Sequence, residues 1–230
     1  MNIEEFTSLL RRRMPFSFVK FGDGELFCMS GRRGENCDHH PYSRELGDAL
    51  ISAFQYLVHH PQVYIGRWHQ RELSAPFERR CGVTPRYVPY GLLLLTRLAP
   101  KLLAFYTALA EDRRPKVLVG PVRLSGAQQM LRCGRMVEVP LVNAFGRYRE
   151  IRHVLEEESS GEVFLFCAGM TSKVWISDLL RKRKTITCLD LGSALDPLFV
   201  GQTRSHQLSE KEARQFFRLL LSTPTHPAGR

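Results

Sequence analysis

The residues of this chain best suited to chemistry are two acids set between glycines, Gly22-Asp23-Gly24-Glu25, at the end of the apolar run Phe16-Ser17-Phe18-Val19-Lys20-Phe21. Glycines let a backbone turn sharply and approach a ligand closely. In such a turn Asp23 and Glu25 can point toward one region and offer hard carboxylate oxygens. Mg²⁺ or Mn²⁺ uses such ligands when it bridges a diphosphate. The same four residues also make an ordinary polar turn with two solvated acids, and the spacing by itself does not separate the two readings.

A second group lies far along the chain. Gly169-Met170-Thr171-Ser172-Lys173 sets free amides, hydroxyls and an ammonium at the start of a predicted helix, where anions bind. The alternative is a plain helix cap by Thr171 or Ser172. The segment is not a Walker A loop, because the Gly-x-x-x-x-Gly-Lys spacing is missing. Asp190 and Asp196 flank Gly192, and either can serve a ribose, a metal or an acceptor, or act as a capping acid. Val200 to Arg204, with His206, reads as a lid carrying Arg204 toward a phosphate or as a surface loop. His69, beside Trp68, reads as a packed core histidine, and Asn143 as a ligand or turn residue. The consecutive side chains of Cys37-Asp38-His39-His40 converge poorly on one ion and read as a polar loop. No Ser-His-Asp order, Gly-x-Ser-x-Gly elbow or His-Glu-x-x-His helix supports a hydrolase or zinc protease.

These groups need strands and helices to hold them. Apolar periodicity predicts helices over 3–13, 43–59, 92–110 (with Pro100 dividing or kinking it), 126–132, 147–158 and from Thr171 through Arg181. Strands are predicted at 16–21, 63–66, 115–121, 136–140, 163–168 and 185–191. Alternation of this kind predicts an α/β fold, with a mostly parallel sheet and helices on both faces. No linker interrupts it, so residues 1–221 read as a single domain and 222–230 as a frayed tail.

Composition bounds the class. At 43% apolar and 24% charged, the 230 residues suit a packed globular core. No apolar stretch approaches a membrane span, and the N-terminus carries acids where a signal peptide carries bases. The six cysteines show neither zinc nor disulfide spacing, and Cys167 and Cys188 read as small core residues. A cytoplasmic protein is expected, at most peripheral to the inner membrane face. The net charge of +10 suits an anionic partner: a nucleotide diphosphate, a nucleic acid or a lipid-phosphate surface. It also suits a solvated surface with arginine bias.

Residues 17–26, Ser-Phe-Val-Lys-Phe-Gly-Asp-Gly-Glu-Leu, resemble the strand-and-turn signature of the bacterial GT-D-type glycosyltransferases. The block from Val163 to Gly192 is similar to that family's C-terminal strand, Gly-containing turn, Lys-bearing helix and Asp-x-Gly strand end. Two positions depart from the pattern: Lys20 stands where the family usually has arginine, and Ser193 where it often has histidine. The resemblance implies a Rossmann-like fold and a nucleotide-diphosphate sugar donor, a UDP-sugar being favoured. It further implies a Mn²⁺ or Mg²⁺ cofactor and a hydroxyl acceptor on a glycan, a lipid-linked glycan or a modified nucleic acid. Carried onto this sequence, it makes Asp23 and Glu25 the metal ligands and catalytic acids, and Asp196, near Gly192, is a further candidate for the catalytic base. Lys20, Gly22, Gly24, Gly169, Thr171, Ser172, Lys173, Asp190 and Arg204 become the donor-binding residues. The rival readings are a metal-dependent phosphoryl or nucleotidyl transferase, which needs the same acids and bases, and a basic nucleic-acid-binding protein.

Overall fold

The structure, a computed structural model, describes residues 1–158 and 161–222. The tail expected at 222–230 lies outside the described residues except for Ser222, which ends a helix. Seven strands make one sheet: β1 Ser17–Phe21, β2 Val63–Arg67, β3 Tyr87–Pro89, β4 Lys116–Gly120, β5 Arg135–Glu138, β6 Val163–Phe166 and β7 Thr187–Asp190. Their order is β3-β2-β1-β7-β6-β4-β5, and every neighbouring pair is parallel. Strands β1, β4, β6 and β7 are buried along their whole length. This explains why β4 and β6 read as near-continuous apolar runs, whereas Ser17 and Lys20 make Phe16 to Phe21 read with a period of two.

Side chains still alternate between two cores. Val19, Phe21, Val119, Phe164 and Phe166 pack on one face, and Phe18, Leu118, Leu165 and Leu189 on the other. Helices α2 (Asp23–Met29), α3 (Arg44–His59), α4 (Arg71–Cys81), α7 (Tyr148–Glu157) and α8 (Thr171–Lys182) cover the first face. The second carries α1 (Ile3–Arg11), α5 (Pro100–Glu111), α6 (Ser125–Met130), the short α9 (Asp196–Phe199) and α10 (Glu210–Ser222). The chain therefore leaves β1 and β6 toward one face and β4 and β7 toward the other. Strands that part in this way leave a crevice at their carboxyl ends, where open α/β sheets bind ligands.

Several elements differ from the sequence reading. The stretch 92–110 is not one helix. Leu93, Leu94 and Leu95 are buried in irregular backbone, and the helix begins at Pro100, whose fixed φ and missing N–H suit a first helical position. Helix α4 has only Ser74 and Phe77 buried and contains Pro76, so its apolar stripe is too thin to announce it. The three-residue β3 and helix α10 also went unread. The Ser43 cap of α3 is present, its Oγ accepting from the Leu46 amide at 3.1 Å.

Candidate active site

The Gly-Asp-Gly-Glu segment is the first turn of α2 and not a loose turn. Gly22 precedes the helix in extended conformation, and Asp23 is its first residue. Glu25, at the third helical position, reaches back and accepts the Gly22 N–H through Oε2 at 2.9 Å. That is the half of a capping box that needs no side chain on the cap residue. A Cβ at Gly22 would come within 2.7 Å of the Tyr90 hydroxyl, so the glycine lets the β3 end close against this turn. Asp23 is exposed, and its Oδ1 accepts the Gly24 N–H at 2.9 Å.

Behind this turn four charges are buried together. The Lys173 ammonium, on the first turn of α8, meets Glu25 Oε1 at 2.7 Å, Asp190 Oδ2 at 3.0 Å and the Gly169 carbonyl at 3.0 Å. Burial pulls the Lys173 pKa down, but the charges and hydrogen bonds of Asp190 and Glu25 outweigh it and hold the ammonium above its ordinary value. Asp190, at the end of β7, is 0% exposed. Its Oδ2 also accepts the Lys20 backbone N–H at 3.1 Å, while its Oδ1 has no hydrogen-bond partner. Lys20 donates from Nζ to the Leu191 carbonyl at 2.9 Å, and burial lowers its pKa against the pull of Asp190. Gly192, at φ 55°, leaves room for this ammonium: a Cβ there would sit 2.7 Å from Lys20 Nζ. Two cations and two anions thus make a neutral buried quartet linking β1, α2, α8 and β7.

The quartet forms part of the wall of a cavity of about 520 Å³ at the carboxyl edge of the sheet, a size usual for small-ligand sites. Asp196, at the start of α9, also lines it. Its Oδ2 accepts from the Thr203 hydroxyl at 2.8 Å, and burial raises its pKa, opposed by that hydrogen bond and by the charge of Arg123. Arg204 pairs with Asp38 and donates to the Thr203 carbonyl at 2.8 Å, joining the α2–α3 loop to the loop after α9. His40 is buried in the α2–α3 loop, its pKa lowered by burial, with Gly169 turning beside it at φ 58°. A Cβ at Gly169 would come 3.1 Å from His40 Nε2. Trp68 and Tyr90 meet edge to face, with ring centroids 4.8 Å apart, where β2 and β3 end.

No family model matches the chain, and no curated protein matches it significantly. Solved structures do. One, described as "the highly conserved domain of unknown function 1792" with "a distinct glycosyltransferase fold", superposes at a TM-score of 0.59 and 21% identity. The match covers 90% of this chain and 84% of that one. Another, "a new glycosyltransferase" of the same domain from Streptococcus sanguinis, superposes at a TM-score of 0.61 and 15% identity, covering 93% and 90% of the two chains. The fold is that glycosyltransferase fold.

Within it, the structure brings Lys20, Asp23, Gly24, Glu25, Gly169, Lys173, Asp196 and Arg204 to one cavity. Gly22, Thr171, Ser172 and Asp190 stand behind its wall. Neither hydroxyl caps α8; the Ser172 Oγ accepts the Ala168 N–H at 3.2 Å and closes the turn before the helix. Lys173 spends its three N–H donors on protein oxygens, so its charge reaches the cavity through Glu25 and Asp190 and not through a free ammonium. His69 is exposed, its ring tilted 46° against Trp68 at 4.4 Å, where the sequence suggested a core histidine. Asn143, at φ 54°, precedes a 3₁₀ turn outside the cavity. Trp68, Tyr90 and Arg123 line the cavity without having been singled out. Aromatic residues at strand ends were the only signal available for the first two.

The donor set can be weighed against a divalent cation. Among the described residues no three His, Cys, Asp or Glu side chains converge on one point. Each Glu25 oxygen already has one partner; Asp23 and Asp38 are the acids exposed at the cavity wall, and Asp38 pairs with Arg204, which leaves Asp23 without a cation partner among the described residues. Mg²⁺-like ions commonly keep several waters and take one or two carboxylates together with substrate phosphates. Asp23 fits such an ion, and Glu25, with one partner on each oxygen, keeps lone pairs with which it can join it.

Proposed function

We propose that this chain is a metal-dependent glycosyltransferase that transfers a sugar from a nucleotide-diphosphate donor, a UDP-sugar, to a hydroxyl acceptor. The observation that carries the reading is an exposed aspartate, Asp23, at the wall of a cavity backed by the neutral Lys20–Glu25–Lys173–Asp190 quartet, within a glycosyltransferase fold.

Asp23 and Glu25 would hold Mn²⁺ or Mg²⁺ together with the donor diphosphate. Such an ion supplies electrostatic stabilisation of the departing nucleoside diphosphate. Lys20 lines the cavity and donates one hydrogen bond to protein, so its ammonium keeps donors for a phosphate oxygen. Asp190 holds the backbone of Lys20, and Lys173 fixes the carboxylates of Asp190 and Glu25. Arg204, tied to Asp38 at the mouth, can exchange that carboxylate for a diphosphate. Asp196 is the base for the acceptor hydroxyl. It lines the cavity, and burial raises its pKa, which strengthens it as a proton acceptor once ionised.

The test is a thermal-shift screen of nucleotides and nucleotide sugars, each with and without Mn²⁺. A ligand that binds only the folded state raises the midpoint with the logarithm of its concentration. Stabilisation by UDP or a UDP-sugar that needs Mn²⁺ supports the proposal; no response to any nucleotide would end it.

A further inference from the structure

The two sides of the cavity mouth differ in chemistry. One side, from α2 and the loop that follows, carries Asp23, Asn36, Asp38 and His39. The other, from the loops after β4 and β5, carries Pro121, Leu124, Pro140, Leu141 and Val142. Nine large apolar side chains are exposed among the described residues; two of them, Leu141 at 50% and Val142 at 45%, line this second side, and a third, Val122 at 61%, stands in the chain between the lining residues Pro121 and Arg123. Val200, a fourth, lies just beyond α9, at the same edge of the sheet. Single exposed apolar residues are ordinary, but a group of them continuous with a ligand cavity marks a binding surface. Arg123 stands among them, exposed, lining the cavity and without a hydrogen bond or ion pair among the described residues. Its charge acts on Asp196.

We infer that this lip seats the acceptor, and that the acceptor is an amphipathic one: a sugar joined through a phosphate to an apolar chain. This rests on the glycosyltransferase reading above. The exposed Val122, Leu141 and Val142 would cover the first part of the chain, Arg123 would pair with the phosphate, and the sugar hydroxyl would then reach Asp196 inside the cavity. A free neutral glycan has no use for the apolar group. A nucleic acid would meet one unpaired arginine set among apolar residues, where a basic stripe is the usual footprint.

The probe is decyl phosphate, kept below its micelle concentration and followed by fluorescence of Trp68, which lines the cavity; the other tryptophan, Trp175, is fully buried. Methyl phosphate and decanol are the controls. The inference expects decyl phosphate to bind about tenfold or more tightly than either control, given the area that three apolar side chains offer. Combined V122S, L141S and V142S changes, all at exposed positions, should remove that advantage over methyl phosphate. Arg123→Gln should remove the advantage over decanol. UDP binding in the presence of Mn²⁺ should stay as in the parent in both variants. If decyl phosphate binds no better than methyl phosphate while UDP still binds, the acceptor inference fails and the glycosyltransferase reading stands. If UDP does not bind, the latter fails on its own. Binding to anionic vesicles without binding to monomeric decyl phosphate would make the lip a membrane contact and overturn the acceptor seat.

Discussion

Replacing Lys173 by methionine removes one cation from the buried quartet and leaves Glu25 and Asp190 facing each other without it. The parent ammonium lies 2.7 Å from Glu25 Oε1 and 3.0 Å from Asp190 Oδ2, with 4% of its side chain exposed. Breaking a buried pair by deleting one partner costs about 3–5 kcal/mol, because the remaining charge stays desolvated. In a chain of this size each kcal/mol lowers the midpoint by roughly 2–4 °C, so the expected loss is roughly 6–20 °C. The pH dependence has a definite sign. In the parent, Lys173 has a raised pKa, so its contribution is complete below the unfolded value of about 10.4 and is lost only as pH rises through the folded one. Between about pH 5 and pH 8 that contribution is constant. In Lys173→Met, a carboxylate stripped of its cation takes up a proton in the folded state before it does so in the unfolded chain. The deficit against the parent should therefore shrink as pH falls from about 8 to about 5. Thermal denaturation of both proteins by circular dichroism across that range measures it. A midpoint within about 2 °C of the parent, or a deficit that grows on acidification, would refute the quartet as described.

Three further outcomes follow from the same geometry. Asp23→Asn should leave the midpoint within about 1 °C of the parent, since the residue is exposed and bonds only the next amide, yet abolish Mn²⁺-dependent stabilisation by UDP; thermal shift reads both. Gly192→Ala should cost about 1–3 kcal/mol in denaturant unfolding, from the left-handed backbone and from a Cβ 2.7 Å from Lys20 Nζ, and should weaken donor binding as Lys20 moves. Thr203→Val removes the hydrogen bond that lowers the raised pKa of Asp196, so the acidic limb of kcat/KM should move to higher pH, and Asp196→Asn should lose that limb with most of the activity.

Much of the frame is legible in the sequence because buried parallel strands advertise themselves. Val163 to Ala168 is apolar on both faces, Phe16 to Phe21 is apolar apart from Ser17 and Lys20, and the strands found there, β6 and β1, are buried at every residue. The acids were legible as chemistry but not as structure. Gly24 within the seven residues of α2, and Gly22 just before them, weaken any helical signal, and the Glu25-to-Gly22 bond that starts the helix replaces the usual side-chain cap. The leucine run at 92–95 differs for the opposite reason: Leu93, Leu94 and Leu95 are buried in irregular backbone, and burial without regular backbone looks like a helix in a one-dimensional pattern. The pairing of Lys173 with Glu25 and Asp190 was not legible at all. It depends on β7 lying between β1 and β6, an order that local spacing does not carry. The same holds for Tyr90, which reaches Gly22 only because β3 follows β2 to the same edge of the sheet.

The most direct measurement is a calorimetric titration of UDP into the protein, with and without Mn²⁺, for the parent and for Asp23→Asn. The account predicts one site per chain that requires Mn²⁺ in the parent and is lost in the variant, while the variant stays folded. UDP binding that is indifferent to Mn²⁺, or that survives Asp23→Asn unchanged, would contradict it.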